Sequence, residues 1–212
     1  MEELDLLKKA WQKDTHKFEQ VSENDIYKML HTKSSSIVKW ILIISIIEVL
    51  FWISLNIIWN TDEYIKNIHA EETLIYFKAM NFINYGVILC FIYTFYKNYK
   101  KISITTSTKQ LMYDILKTRK TVQHYVWYNL GFAAFGLIIA FIVQFLFNPK
   151  MKIITEKIAQ EEDHMVLFKT LGIIIVSIVL FVFIFWLFYR VLYGILLRKL
   201  SANYKELKKI DL

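Results

Sequence analysis

Four stretches of about 20 mostly apolar residues, 37–59, 74–96, 125–147 and 168–189, constrain this chain more than anything else in it. A hydrocarbon core about 30 Å thick is crossed by roughly 20 helical residues at about 1.5 Å each. Only helices and closed barrels satisfy their own backbone groups inside it. The expected fold is therefore all-α, a four-helix integral membrane bundle made of two helical hairpins. Lys78 interrupts the second stretch about one turn from its outer end, where a long side chain snorkels to the headgroups. The first apolar stretch begins behind a charged segment and no small-residue cleavage pattern follows it, which argues against a secretory signal peptide.

The segments divide the chain into a helical arm at 1–36, a first membrane hairpin at 37–96, a basic loop or helix at 97–124, a second hairpin at 125–189 and a basic tail at 190–212. With 56% hydrophobic residues, one proline and five glycines in 212, the composition fits a helical membrane protein better than a soluble globule. The net charge of +7 comes from Lys and Arg that flank apolar segments, so it points to lipid headgroups and away from direct nucleic-acid binding. Cys90 is the single cysteine and lies in an apolar run, which excludes an intrachain disulfide or a thiolate metal cluster.

Basic residues are retained on the cytoplasmic side of a membrane. They crowd the arm (Lys8 to Lys33), the middle loop (Lys97 to Lys120) and the tail (Arg190 to Lys209), whereas the loop after the first stretch has only Lys66 among four acidic residues and the loop after the third has three Lys against four acidic residues. The sequence thus places both termini in the cytoplasm of a bacterial inner membrane. Trp40, Tyr93, Tyr96, Tyr99, Tyr125, Trp127, Tyr128, Trp186, Tyr189 and Tyr193 gather at the same boundary, as interfacial aromatic residues do.

The entrances to the first and third stretches align, with Tyr27, Leu30 and Thr32 matching Tyr113, Leu116 and Thr118. The exits of the second and fourth align as Phe95-Tyr96-Lys97 with Phe188-Tyr189-Arg190. This pattern is compatible with a parallel internal repeat of two hairpins about an axis along the membrane normal.

Glu48 stands in the middle of the first stretch, where an ionisable group costs several kcal/mol unless it is paired, protonated or hydrated. Ser45, Glu48, Trp52 and Asn56 share one helical face, and Lys78, Asn81 and Asn84 or Tyr85 share another. Asn129, Ala133, Gly136, Ala140 and Gln144 form a third, with small residues that let helices approach. These faces predict an intramembrane polar site of Glu48, Asn81, Asn84 and Gln144, in which Glu48 serves either packing or a proton or ligand role. In the arm, Leu4, Leu7 and Trp11 form an apolar stripe, read either as a face lying on the inner leaflet or as a docking face for a cytoplasmic protein. Ser22 with Asp25 signals the start of a second helix.

His69 with Glu71 and Glu72, and His164 with its acidic neighbours, are competent metal ligands by type, but their spacing matches no metal motif. No phosphate loop, nucleophile elbow or zinc-protease helix is present. No cofactor, metal or catalytic residue is expected.

The opening run from Met1 to Trp11, then Ile26-Tyr27-Lys28-Met29-Leu30-His31, Lys33 to Trp40, and Gln110 to Val122, resembles a family of small four-span membrane proteins from Flavobacteria and related Bacteroidota. Some members are labelled beta-carotene monooxygenases and others are encoded near sigma-factor genes. The resemblance implies either a lipophilic substrate or a sigma-factor-linked regulatory role. Carotenoid-cleaving oxygenases, however, are β-propellers with a four-histidine iron site, and His31, His69, His124 and His164 here fall on opposite membrane sides.

The reading that the sequence favours is a non-enzymatic regulatory or scaffold protein engaging a cytoplasmic partner through residues 1–36. The alternatives are a small transport or proton-coupled module centred on Glu48 and a membrane enzyme acting on a lipophilic substrate. The partners expected are the lipid bilayer and a cytoplasmic protein, with a second copy of the chain left open.

Overall fold

The computed structural model describes residues 22–59, 61–149, 151 and 164–210. Four long helices dominate them: α1 (Glu23–Ile58), α3 (Leu74–Ile104), α4 (Thr108–Phe147) and α5 (His164–Ile210), with a short α2 (Thr61–Asn67) and a 3-10 turn (Glu71–Thr73) between α1 and α3. All four long helices carry segments long and apolar enough to cross a membrane. α1 and α4 each pack between α3 and α5, and face one another across the diagonal of the bundle.

The segments separated by the sequence reading are continuous in space. α1 begins at Ser22, whose hydroxyl accepts the Asp25 amide at 3.2 Å, and runs without a break through the expected arm boundary to Ile58. At about 1.5 Å per residue, its 36 residues extend roughly 54 Å, well beyond a hydrocarbon core. The middle loop is the end of α3 and the start of α4, and the basic tail is the end of α5. α4 stops at Phe147 because Asn148 precedes Pro149 and takes an extended conformation (ψ 122°), the one that proline favours in its predecessor.

The bundle therefore has a packed basic end outside the apolar segments. Leu30, Val38, Ile102, Leu111, Ile115, Leu200 and Leu207 form its core. Buried in the same region, Asn203 donates its Nδ2 to Ser34 Oγ at 3.0 Å. α1 also closes the end of α3, whose last carbonyls lack helical donors. His31 Nε2 lies 2.7 Å from the Ile102 carbonyl oxygen, and the Tyr27 hydroxyl donates to that of Thr105 at 3.0 Å.

At the opposite end, Ile65, Ile68 and Ala70 fold over α4 at Val143. The turn works as a C-terminal helix stop: the Ala70 amide reaches the Ile65 carbonyl while His69 takes φ 58°, a left-handed position more often held by glycine. His69 thus has a local structural role. Among the described residues no three His, Cys, Asp or Glu side chains converge as a metal site would require. Lys78 is exposed, and its Nζ lies 2.7 Å from Asp62 of α2.

The two hairpins follow in the expected order, but the residues matched in sequence do not occupy equivalent places. Leu30 is 2% exposed and Leu116 42%; Phe95 is fully buried and Phe188 is 47% exposed. Burial instead repeats between Leu30, Ser34, Val38 and Ile41 of α1 and Asp114, Thr118, Val122 and Tyr125 of α4. Likewise Phe95, Asn98 and Ile102 of α3 correspond to Leu200, Asn203 and Leu207 of α5. The similarity in sequence follows the basic, aromatic boundary composition, whereas burial follows the helix faces that meet.

Candidate functional site

Glu48 points into the bundle and is 6% exposed. Its carboxyl group is held by three phenols. Tyr125 of α4 and Tyr193 of α5 each donate to Oε2 at 3.0 Å, and Tyr189 of α5 donates to Oε1. Tyr189 and Tyr193 reach the same carboxyl because residues four apart stand on one helical face. Trp52, one turn along α1, lies beside the group.

Aromatic packing fixes these donors. The Tyr125 ring meets Phe91, Phe95 and Tyr193 edge-on at 5.4, 5.5 and 5.8 Å between centroids, and Tyr189 stacks on Tyr193 at 6.0 Å. Among the described residues, no Lys, Arg or His is ion-paired with Glu48; the donors are neutral. Three neutral phenols leave the charge of a carboxylate uncompensated, and a buried charge without a counterion is costly. The arrangement therefore favours a carboxyl that either carries a proton or receives a cation.

The partners differ from those expected. Asn84 instead accepts the Tyr128 hydroxyl at 3.1 Å, and Gln144 accepts that of Tyr64, from the loop helix α2, at 2.9 Å. Asn81 and Asn84 do come together with Trp52, Asn56, Tyr85, Asn129, Ala133 and Gly136 around a half-open cavity of about 310 Å³. The three polar faces thus converge on a space, with Glu48 behind its wall and Gln144 outside it. Asn129 also closes back on its own helix, its Nδ2 donating to the Tyr125 carbonyl at 2.8 Å. Leu4, Leu7 and Trp11 lie outside the described residues.

Tyr125, Tyr189 and Tyr193 were grouped above with the interfacial aromatics, but all three are buried. The boundary reading describes Trp40, Tyr93, Tyr96 and Trp127, which are exposed by half or more. The signal available in the sequence was the four-residue spacing of Tyr189 and Tyr193, which puts both on one helical face.

Glu48 also lines a second space, an apolar groove of about 560 Å³ between α1 and α5, with Ile44, Ile47, Phe51, Ile184, Phe188 and Leu192. Trp52 and Phe185 stack at 5.6 Å and border both the groove and the half-open cavity.

Four apolar helices of membrane-crossing length around a buried carboxyl define a multi-pass helical membrane protein. The chain belongs to the family described as a domain of unknown function, DUF8845, whose model matches residues 24–212. No curated protein and no solved structure matches it.

Proposed function

We propose that this protein is a small proton-coupled membrane module in which Glu48 takes up and releases a proton. The observation that carries this reading is that Tyr189 both lines the amide-walled cavity and donates to Glu48. A phenol so placed relays protons: its oxygen accepts a proton from water in the cavity while its own proton passes to the carboxylate. The cavity walls include Asn56, Asn81, Asn84 and Asn129, polar enough to hold that water. The family match, residues 24–212, includes the helices that hold Glu48 and its phenols.

Infrared spectra of the full chain in lipid, recorded across a pH series, test the reading. A protonated-carboxyl band that disappears as pH rises, shifts in heavy water and is missing from Glu48→Gln is the expected result. A band that neither titrates nor exchanges would mean a sealed packing group and would end the proposal.

The orientation proposed with it places the basic end in the cytoplasm of a bacterial inner membrane, following the charge asymmetry. A reporter fused at Thr105, in the turn between α3 and α4, is expected to signal from the cytoplasm. An outward signal there would overturn this orientation.

A further inference from the structure

We infer that the half-open cavity walled by all four long helices binds an uncharged, flat ring compound of the lactam type, with a carbonyl and an N–H on its edge. The inference goes beyond the proton reading and does not require Glu48 to titrate.

Each long helix gives the cavity one face. Phe181, Phe185 and Tyr189 step along it on α5, and Trp52 and Asn56 on α1, at the three- and four-residue intervals of a single helical face. Eight residues of helix span roughly 12 Å, so the space is about two turns deep. Tyr189, 3% exposed, lies at its inner end, while Asn56 and Phe181 are exposed at its rim. Its volume of about 310 Å³ stands at the small end of the range of about 300–1,000 Å³ typical of ligand sites, which suits one or two fused rings.

Charge and hydrogen bonding narrow the occupant. No charged side chain lines the cavity among the described residues, so an ion would enter without a counter-charge. The four carboxamides divide between donor and acceptor. Asn129 gives its Nδ2 to the Tyr125 carbonyl and keeps Oδ1 as an acceptor. Asn84 accepts the Tyr128 hydroxyl through Oδ1 and keeps Nδ2 as a donor. Asn56 and Asn81 have no side-chain hydrogen bond among the described residues and supply both kinds.

The remaining wall is largely aromatic, with Trp52, Tyr85, Phe132, Phe181 and Phe185. Such rings pack well against another flat ring. A sugar would set most of its hydroxyls against them without partners, and an acyl chain would leave the amides unanswered. Water is held only beside the amides, since each molecule needs two to four polar partners. A flat body with a C=O and an N–H answers the rings and the amides together.

The test uses the full chain in detergent and equilibrium dialysis of carbostyril, a fused-ring lactam, with protein-free micelles as blank. Saturable binding is expected. N-methylcarbostyril, which lacks the N–H, should bind about fivefold more weakly, and a carbostyril carboxylate, which adds a charge, about tenfold or more. Gly136→Phe fills the cavity from a position where nothing lies within 4 Å of an added Cβ, and should weaken carbostyril binding about tenfold or more. Asn81→Leu removes an amide that holds nothing else in the fold, and should weaken binding about fivefold while thermal unfolding stays as in the parent.

The absence of saturable binding would overturn the inference, as would equal binding by Gly136→Phe or of the charged analogue. Equal binding by Asn81→Leu and of the N-methyl compound would mean an apolar trap without hydrogen-bond recognition, and would overturn it too. If carbostyril binds while the infrared carboxyl band fails to titrate, this inference stands and the proton reading falls. If the band titrates while carbostyril fails to bind, the proton reading stands and this inference falls.

Discussion

Glu48→Leu is expected to destabilise the bundle by about 3 kcal/mol or more, whereas Glu48→Gln keeps the fold. Leucine fits the volume but accepts no hydrogen bond, so the hydroxyls of Tyr125, Tyr189 and Tyr193 lose their common acceptor at once. Each buried donor left without a partner costs about 1–3 kcal/mol, and Tyr125 and Tyr193, which do not line the cavity, are held by neighbouring rings. Against a typical total of about 5–15 kcal/mol, a loss of that size is large. The amide of glutamine accepts through its oxygen and donates through its nitrogen, and a phenol serves in either sense. Thermal unfolding in detergent, followed by size-exclusion recovery, separates the two variants. A leucine variant as stable as the parent would show that the phenols have other partners, and that the carboxyl is not what holds them.

What the sequence shows of this site, and what it hides, follows from how each signal arises. The four spans are legible because bilayer thickness acts on every residue of a stretch, and Lys78 does not disturb the window. Ser22 is legible because helix capping is local. Glu48 attracts attention because a charge in an apolar run is costly wherever its partners stand. Its partners are a matter of helix rotation and stagger, to which residue type gives little guide. The shared polar faces grouped Asn81, Asn84 and Gln144 with Glu48. In the structure the side chains level with it are Tyr125 and Tyr189, which begin and end the third and fourth stretches. Tyrosine at such a boundary reads as an interfacial anchor, and only the packing shows which face it turns.

The same logic explains the internal repeat. Tyr96 and Tyr189 match in sequence, yet one is exposed and the other buried, because the register that aligns the sequences differs from the one that aligns the buried faces, and each residue turns a helix by about 100°. The correspondence of Asn98 with Asn203, and of Ser34 with Thr118, is visible only once burial is known. It is incomplete even then: Asn203 donates to Ser34, whereas Asn98 Nδ2 has no hydrogen-bond partner among the described residues and Thr118 bonds back to the Asp114 carbonyl at 2.8 Å.

Removing the three phenols together is expected to weaken the fold about as much as Glu48→Leu, and combining the changes is expected to restore much of the loss. In the Tyr125→Phe, Tyr189→Phe, Tyr193→Phe variant the carboxyl keeps its burial and loses every phenol donor. A buried charge stripped of its partners typically costs about 3–5 kcal/mol, less where the group takes up a proton. When Glu48→Leu is added, donors and acceptor are absent together, and exchanging both sides of a polar contact for apolar groups of like shape can be nearly neutral. The leucine and triple-phenylalanine losses should therefore fail to add, with a coupling of about 2 kcal/mol or more in the combined variant. The combined variant should also insert, unfold near the parent temperature and show no titrating carboxyl band. Additive losses would mean that the phenols and the carboxyl stabilise the bundle through separate contacts, and the hydrogen-bonded unit described here would have to be abandoned.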